Sequence, residues 1–237
     1  MTRLSSMFLS AVLIALPVSS MAAYEGGDVK DGGTISGTVK FKGTAPAPKK
    51  LDVSKDKEVC GKTPLTDESL IVSNGNLVNA VVTITDISKG KKMEVGKFTL
   101  DQQGCRYHPH VLAFPAGSTV TIVNPDGILH NIHSFSKVNT AFNMAQPKFK
   151  KPWMLRSISP RPSRCDAMFT AGWRGGWLRP QIRILLVTDN SGSFKLTDVP
   201  PGTYTVEVWQ QKLGKTTQKV TVKAKEDAKV NFEMAGK

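Results

Sequence analysis

A chain of 237 residues can bury the core of one large domain or two small ones. Its formal charge of +13 points, taken alone, to an anionic partner such as nucleic acid. No nucleic-acid motif accompanies the charge, and six arginines crowd into one stretch: Arg156, Arg161, Arg164, Arg174, Arg179 and Arg183. The expectation is therefore no nucleic-acid partner. No P-loop, dinucleotide fingerprint or nucleophile elbow is present, no Ser and His pattern fits acyl transfer, and no capped helical period is long enough for a helical domain. The expectation is a protein that is not an enzyme.

Met1 to Ala22 reads as an export signal. Arg3 supplies the positive start, Met7 to Val18 an apolar core too short to span a bilayer, and Ser20-Met21-Ala22 a small-x-small cleavage site. No other segment resembles a membrane span. The expected location is periplasmic or secreted. Asp28 to Gly43 opens with a glycine pair and then alternates through Ile35, Gly37, Val39 and Phe41, which predicts an N-terminal strand. Thr44 to Lys57 reads as a Pro- and Lys-rich loop, Asn79 to Ile87 as a strand, Ser88 to Lys92 as a basic turn, and Phe98 to Leu100 as a short edge strand.

The chain has three cysteines. In an exported protein this predicts one disulfide and one free or metal-bound thiol. Cys60 and Cys105 are the expected pair, because Cys165 lies in a separate region. Closing that loop is worth roughly 4 kcal/mol in the chain-entropy picture. The alternative is a reduced Cys105 that acts as a ligand with His108 or His110.

All four histidines fall between positions 108 and 133. Imidazole is a good ligand for Cu, Zn, Fe and Ni, so a metal site is a candidate. Ser118 to Ile122 alternates as a half-buried strand, Asn124-Pro125-Asp126-Gly127 breaks it with turn chemistry, and Ile128 to Phe135 forms a second strand. On that strand His130 and His133 face opposite sides, so they are not expected to chelate one ion together. His108 and His110, two apart, could share a face. A strand, then N-P-D-G, then His130-Asn131 resembles the first-ligand loop of the cupredoxins, small β-sandwich copper proteins. The resemblance implies that His130 binds copper and that Asn131 braces the ligand loops.

Val187 to Met234 reads as a β module. Turns at Asp189 to Gly192 and Val199 to Gly202 separate strands at Ser193 to Leu196, Tyr204 to Gln210, Gln218 to Val222 and Ala228 to Phe232. The string T-D-x-x-G-x-F-x-L-x-x-V-P-P-G-x-Y, matched by Thr188 to Tyr204, resembles the carboxypeptidase regulatory-like, transthyretin-type sandwich. The early G-x-I-x-G-x-V resembles that fold's first strand.

Trp153 to Leu186 breaks every pattern around it. It is Arg-rich between Lys-rich flanks and holds three of the four tryptophans. It stands where a cupredoxin carries its second ligand loop. Back-translated and read from the third base of each codon, with suitable codon choices, it yields a string containing C-x-x-H-x-x-M. That string resembles the copper loop of plastocyanin-like, methylamine-utilisation proteins. Its Cys codon spans Asp166 and Ala167, its His codon Phe169 and Thr170, and its Met codon Gly172 and Trp173. The segment thus looks frame-shifted, and as written it is expected to be irregular.

Together the resemblances imply an all-β protein, a Greek-key cupredoxin-like sandwich combined with a regulatory-like sandwich. The expected division is a signal at 1–22, N-terminal strands of the regulatory-like sandwich at 23–100, a copper region at 101–186, and the rest of the regulatory-like sandwich at 187–237. The implied function is binding of type 1-like copper and transfer of single electrons to a periplasmic redox partner protein, through a site damaged in the chain as written. The implied metal residues are His130, Cys165, His133 and Met168. The alternative is a metal-free β-sandwich module that binds a cell-envelope partner.

Overall fold

The computed structural model describes residues 24–133, 142–147, 153–156, 167–168, 177–181 and 184–236. The chain is all-β, and its larger unit is a sandwich of two sheets. One sheet runs Leu185–Val187, Val81–Ile84, Gly202–Gln210, Gly214–Val222. The other centres on the ten-residue strand Gly33–Lys42, flanked by Ser193–Val199 and Asn76–Val78 and joined also by Asp227–Lys229 and Phe232–Ala235. Both sheets therefore mix strands from the two ends of the chain.

Alternation drives this assembly. Ile35 and Val39 from the first long strand are fully buried, and so are Val206 and Val208 from Gly202–Gln210. They meet Leu77, Val82, Ile84, Phe194, Leu196 and Phe232 in one core, with the Phe194 and Phe232 rings 6.1 Å apart. Burying large apolar side chains is the dominant favourable term, about 1.5–3 kcal/mol each.

The turn motif is explained by what its residues touch. The hydroxyl of buried Thr188 accepts from the Ala80 N–H at 3.0 Å and donates to the Leu77 carbonyl at 2.8 Å, tying the C-terminal half to the N-terminal half. The Asp189 carboxylate accepts from the Ser191 hydroxyl and from the N–H groups of Ser191 and Ser193, and these bonds hold its pKa below the ordinary carboxylate value. Gly192 has φ +70°, and a Cβ there would lie 2.5 Å from the Asn76 Cβ, so glycine is required.

The intervening residues form a second, smaller body. Thr119–Val123 runs between Lys97–Asp101 and Trp153–Arg156, and Val111–Pro115 pairs in parallel with Trp177–Gln181. Leu100, Tyr107, Leu112, Phe114, Val120, Ile122 and Ile132 make its core. The strand at Lys97–Asp101 thus belongs with the intervening residues. Val81, Val111 and Trp209 join the two bodies in a buried cluster.

Two local expectations are corrected. Lys89–Lys91, expected as a turn, is a short strand paired in parallel with Glu25–Gly27. Within 153–186, expected to be irregular, the described residues include strands at Trp153–Arg156, Ala167–Met168 and Trp177–Gln181. The physical reason is that an open sheet edge presents N–H and C=O groups that pair with any backbone, whatever its side chains. Residues 1–22 of the export signal and, within the proposed frame-shifted segment, residues 157–166, 169–176 and 182–183 lie outside the described residues.

Candidate functional site

The N-P-D-G turn organises the site. The Asn124 side chain donates to the Ile128 carbonyl at 2.7 Å and to the Gln146 carbonyl at 3.0 Å, and accepts from the Asp126 N–H at 3.2 Å. Gly127 follows with φ +72°, which closes the turn. The turn brings the Asp126 carboxylate, whose side chain is only 6% exposed, under the strand that carries His130.

Asp126 is the hub. Its Oδ1 accepts from the Gly104 N–H at 2.7 Å, and its Oδ2 from the Cys105 N–H at 2.8 Å. Gly104 and Cys105 both have left-handed backbone, φ +63° and +59°, so their successive N–H groups turn toward one anion. The same Oδ2 lies 2.8 Å from the His130 Nε2. His130 is buried, and this carboxylate satisfies one nitrogen of its ring. The Cys105, Asp126 and His130 ligand atoms lie within 4.8 Å of one another. Cys105 is joined to Cys60 in a disulfide with Cα atoms 5.3 Å apart.

The other predicted residues lie elsewhere. His133 is half-buried and opposes Asn143 in register, on the other face of the strand from His130. His108 and His110 do not share a surface: His108 is exposed, while His110 is buried with its Nε2 2.7 Å from the Gln211 Oε1 and its Nδ1 3.6 Å from a Glu68 oxygen. Asn131 donates to Asn143 on the neighbouring strand. Cys165 lies outside the described residues. Met168 lies on the Ala167–Met168 strand, and only its backbone is described.

A type 1 copper centre needs a thiolate and two imidazoles in a plane with a weak axial ligand. The described residues do not fit that set. Their two cysteines are bonded to each other, and no second imidazole joins His130 within the cluster.

Asp126 and Glu68 were not singled out from the sequence. Asp126 reads as a turn residue, and the only local signal for its second role is its spacing of four before His130. Glu68 is distant in sequence from its partners. It holds Arg106 Nη1 at 2.9 Å, while Arg106 Nη2 donates to the Pro64 carbonyl at 2.7 Å. Cys105, Arg106, Tyr107 and His110 line a shallow cleft with Leu65 and Glu68.

A family profile described as carboxypeptidase regulatory-like domain matches residues 182–235, and no cupredoxin match is found. No curated protein and no solved structure matches the chain. The matched stretch covers the C-terminal strands of the sandwich, from Leu185–Val187 to Phe232–Ala235. The chain carries a β-sandwich domain of the carboxypeptidase regulatory type.

Proposed function

We propose that the chain is an exported, non-catalytic β-sandwich module that binds a partner in the cell envelope. The observation that carries this reading is the regulatory-type domain at 182–235, a kind of domain that is not itself catalytic. Strands from residues 33–42 and 76–84 complete its sandwich. The polar residues of the intervening body support it too: Asp126 with His130 and the backbone of 104–105, and Glu68 with Arg106, are engaged with one another. The export signal read in residues 1–22 supplies the location.

The test is equilibrium binding of the purified full chain to an envelope fraction from its host. The expected result is saturable binding that is unchanged by a metal chelator and by His130→Ala. Binding that does not saturate, or that disappears on chelation, contradicts the reading.

A second reading, copper binding with single-electron transfer, has one observation in its favour. A carboxylate holding one ring nitrogen of a buried histidine is the arrangement that orients metal-ligating imidazoles. In this reading His130 is the first ligand, and the remaining ligands belong to the loop restored by correcting the reading frame. Copper would supply the one-electron chemistry when bound.

A further inference from the structure

We propose that the Cys60–Cys105 disulfide masks a metal site, and that its reduction by a dithiol exposes a Cys105, Asp126, His130 triad for a divalent cation of zinc's class. This goes beyond the binding-module reading and uses none of the residues of a second cupredoxin loop.

Geometry carries the proposal. Ligand atoms sharing a tetrahedral zinc-class ion at bond lengths of about 2.0–2.3 Å sit roughly 3.5 Å apart. The three ligand atoms here already lie within 4.8 Å of one another, with the Asp126 Oδ2 and His130 Nε2 at 2.8 Å. Small side-chain rotations are enough to enclose an ion. Thiolate, imidazole and carboxylate together are a donor set for zinc-class ions, with a fourth position left for water.

The two cysteines are held by different partners, Cys60 by its N–H on the Asp56 carbonyl within its own helical turn. Cys105 is fixed by its own N–H on Asp126 and by that of Gly104. Cys60 ends a one-turn helix, Lys57–Cys60, and packs in a small satellite cluster with Leu65 and Cys105, flanked by partly buried Leu51, Val53, Val59 and Ile128. Such satellites open at lower free-energy cost than the main core. After cleavage the Asp126 contacts keep the Cys105 backbone beside Asp126 and His130, and Cys60 is free to rotate about its own side-chain bonds. Cys105 itself lines the cleft with Arg106, Tyr107 and His110.

The chemistry balances. The dithiol attacks through a mixed disulfide, gives two electrons and two protons to the Cys60–Cys105 bond, and closes to its own disulfide. Two thiols result. On metal entry the Cys105 thiol loses its proton to solvent and binds as thiolate. His130 binds through Nε2 in the tautomer that carries its proton on Nδ1.

The test uses Cd(II) alone as probe. The full chain is titrated as purified, and again after reduction with dithiothreitol and removal of the reductant under nitrogen. Far-ultraviolet circular dichroism follows the fold. All titrations use a Cys165→Ser background, which removes the third thiol, and there the oxidised chain should show no cadmium–thiolate charge-transfer band. The reduced chain should keep its β signal and bind about one cadmium with that band, at an affinity that His130→Ala lowers by at least about tenfold, the scale on which metal sites respond to lost support. Cys60→Ser should give the same site without any reductant. Equal binding before and after reduction, a reduced chain that unfolds or binds no cadmium, or a band unchanged in His130→Ala overturns the proposal.

Discussion

Asp126 receives three hydrogen bonds on one buried carboxylate, from two backbone N–H groups and the His130 ring. Removing it leaves those donors buried without partners, and each such loss costs about 1–3 kcal/mol. Asp126→Ala should therefore destabilise the chain by about 3 kcal/mol or more in urea denaturation, and Asp126→Asn by less, because it keeps an acceptor oxygen. A loss under about 1 kcal/mol for the alanine variant, the worth of an ordinary exposed contact, contradicts the hub role. Tyr107 makes the opposite case. Its hydroxyl is buried with no hydrogen-bond partner among the described residues, and burial pushes its pKa far above the ordinary tyrosine value. Burial also raises Tyr24 and Tyr204, the latter with help from the Asp86 charge. The folded chain thus keeps phenol protons that the unfolded chain releases above about pH 10. Stability is fully present below that pH and falls as pH rises beyond it. Tyr107→Phe should leave stability unchanged or slightly higher at pH 7 and flatten the alkaline loss. An equally steep loss in the variant would show that Tyr107 does not govern it. Neither role was legible in the sequence. N-P-D-G announces a turn, but which N–H groups Asp126 reaches depends on residues 104 and 105 folding back under it.

At the scale of elements, the long strand Gly33–Lys42 is where both ends of the chain meet. A Cβ on Gly37 would lie 1.7 Å from the Val230 carbonyl oxygen. Val230 lies in the short link between the Asp227–Lys229 and Phe232–Ala235 strands, both of which pair in parallel with Gly33–Lys42. Gly37→Ala must therefore push that link away from the sheet. Overpacking of this kind costs typically about 1–3 kcal/mol, and a backbone obstacle puts this case at about 3 kcal/mol or more. Thermal unfolding of the variant checks it, and an unchanged midpoint contradicts the close approach of Val230 to this strand. This part of the fold was legible: the alternation of Ile35, Val39, Val206 and Val208 marks the core faces, and Thr188 to Gly202 spells out the turns. The strand at Lys89–Lys91 was not legible, because its lysines and glycine show no strand period and its pairing with Glu25–Gly27 is made by backbone, with one exposed Lys89–Glu25 ion pair beside it. The strands inside 153–186 show no strand period either: Trp153–Arg156 completes the edge of Thr119–Val123, Trp177–Gln181 that of Val111–Pro115, and Ala167–Met168 pairs with Trp177–Gln181.

For the whole molecule, the proposed binding-module function rests on the regulatory-type sandwich, and the described residues assemble no type 1 copper ligand set. The cluster of Val81, Val111 and Trp209 fastens the body carrying His130 to that sandwich. His130 is held by Asp126, and the two described cysteines are held by each other. Histidine content alone could not separate these readings, because ligation depends on which nitrogens and sulfurs are already engaged. The most direct measurement is a Cu(II) titration of the full chain with its disulfide intact, followed by visible absorption. Weak binding through exposed imidazole, with no intense thiolate-to-copper band, is the predicted result. One tightly bound copper per chain with a strong blue thiolate band would contradict it.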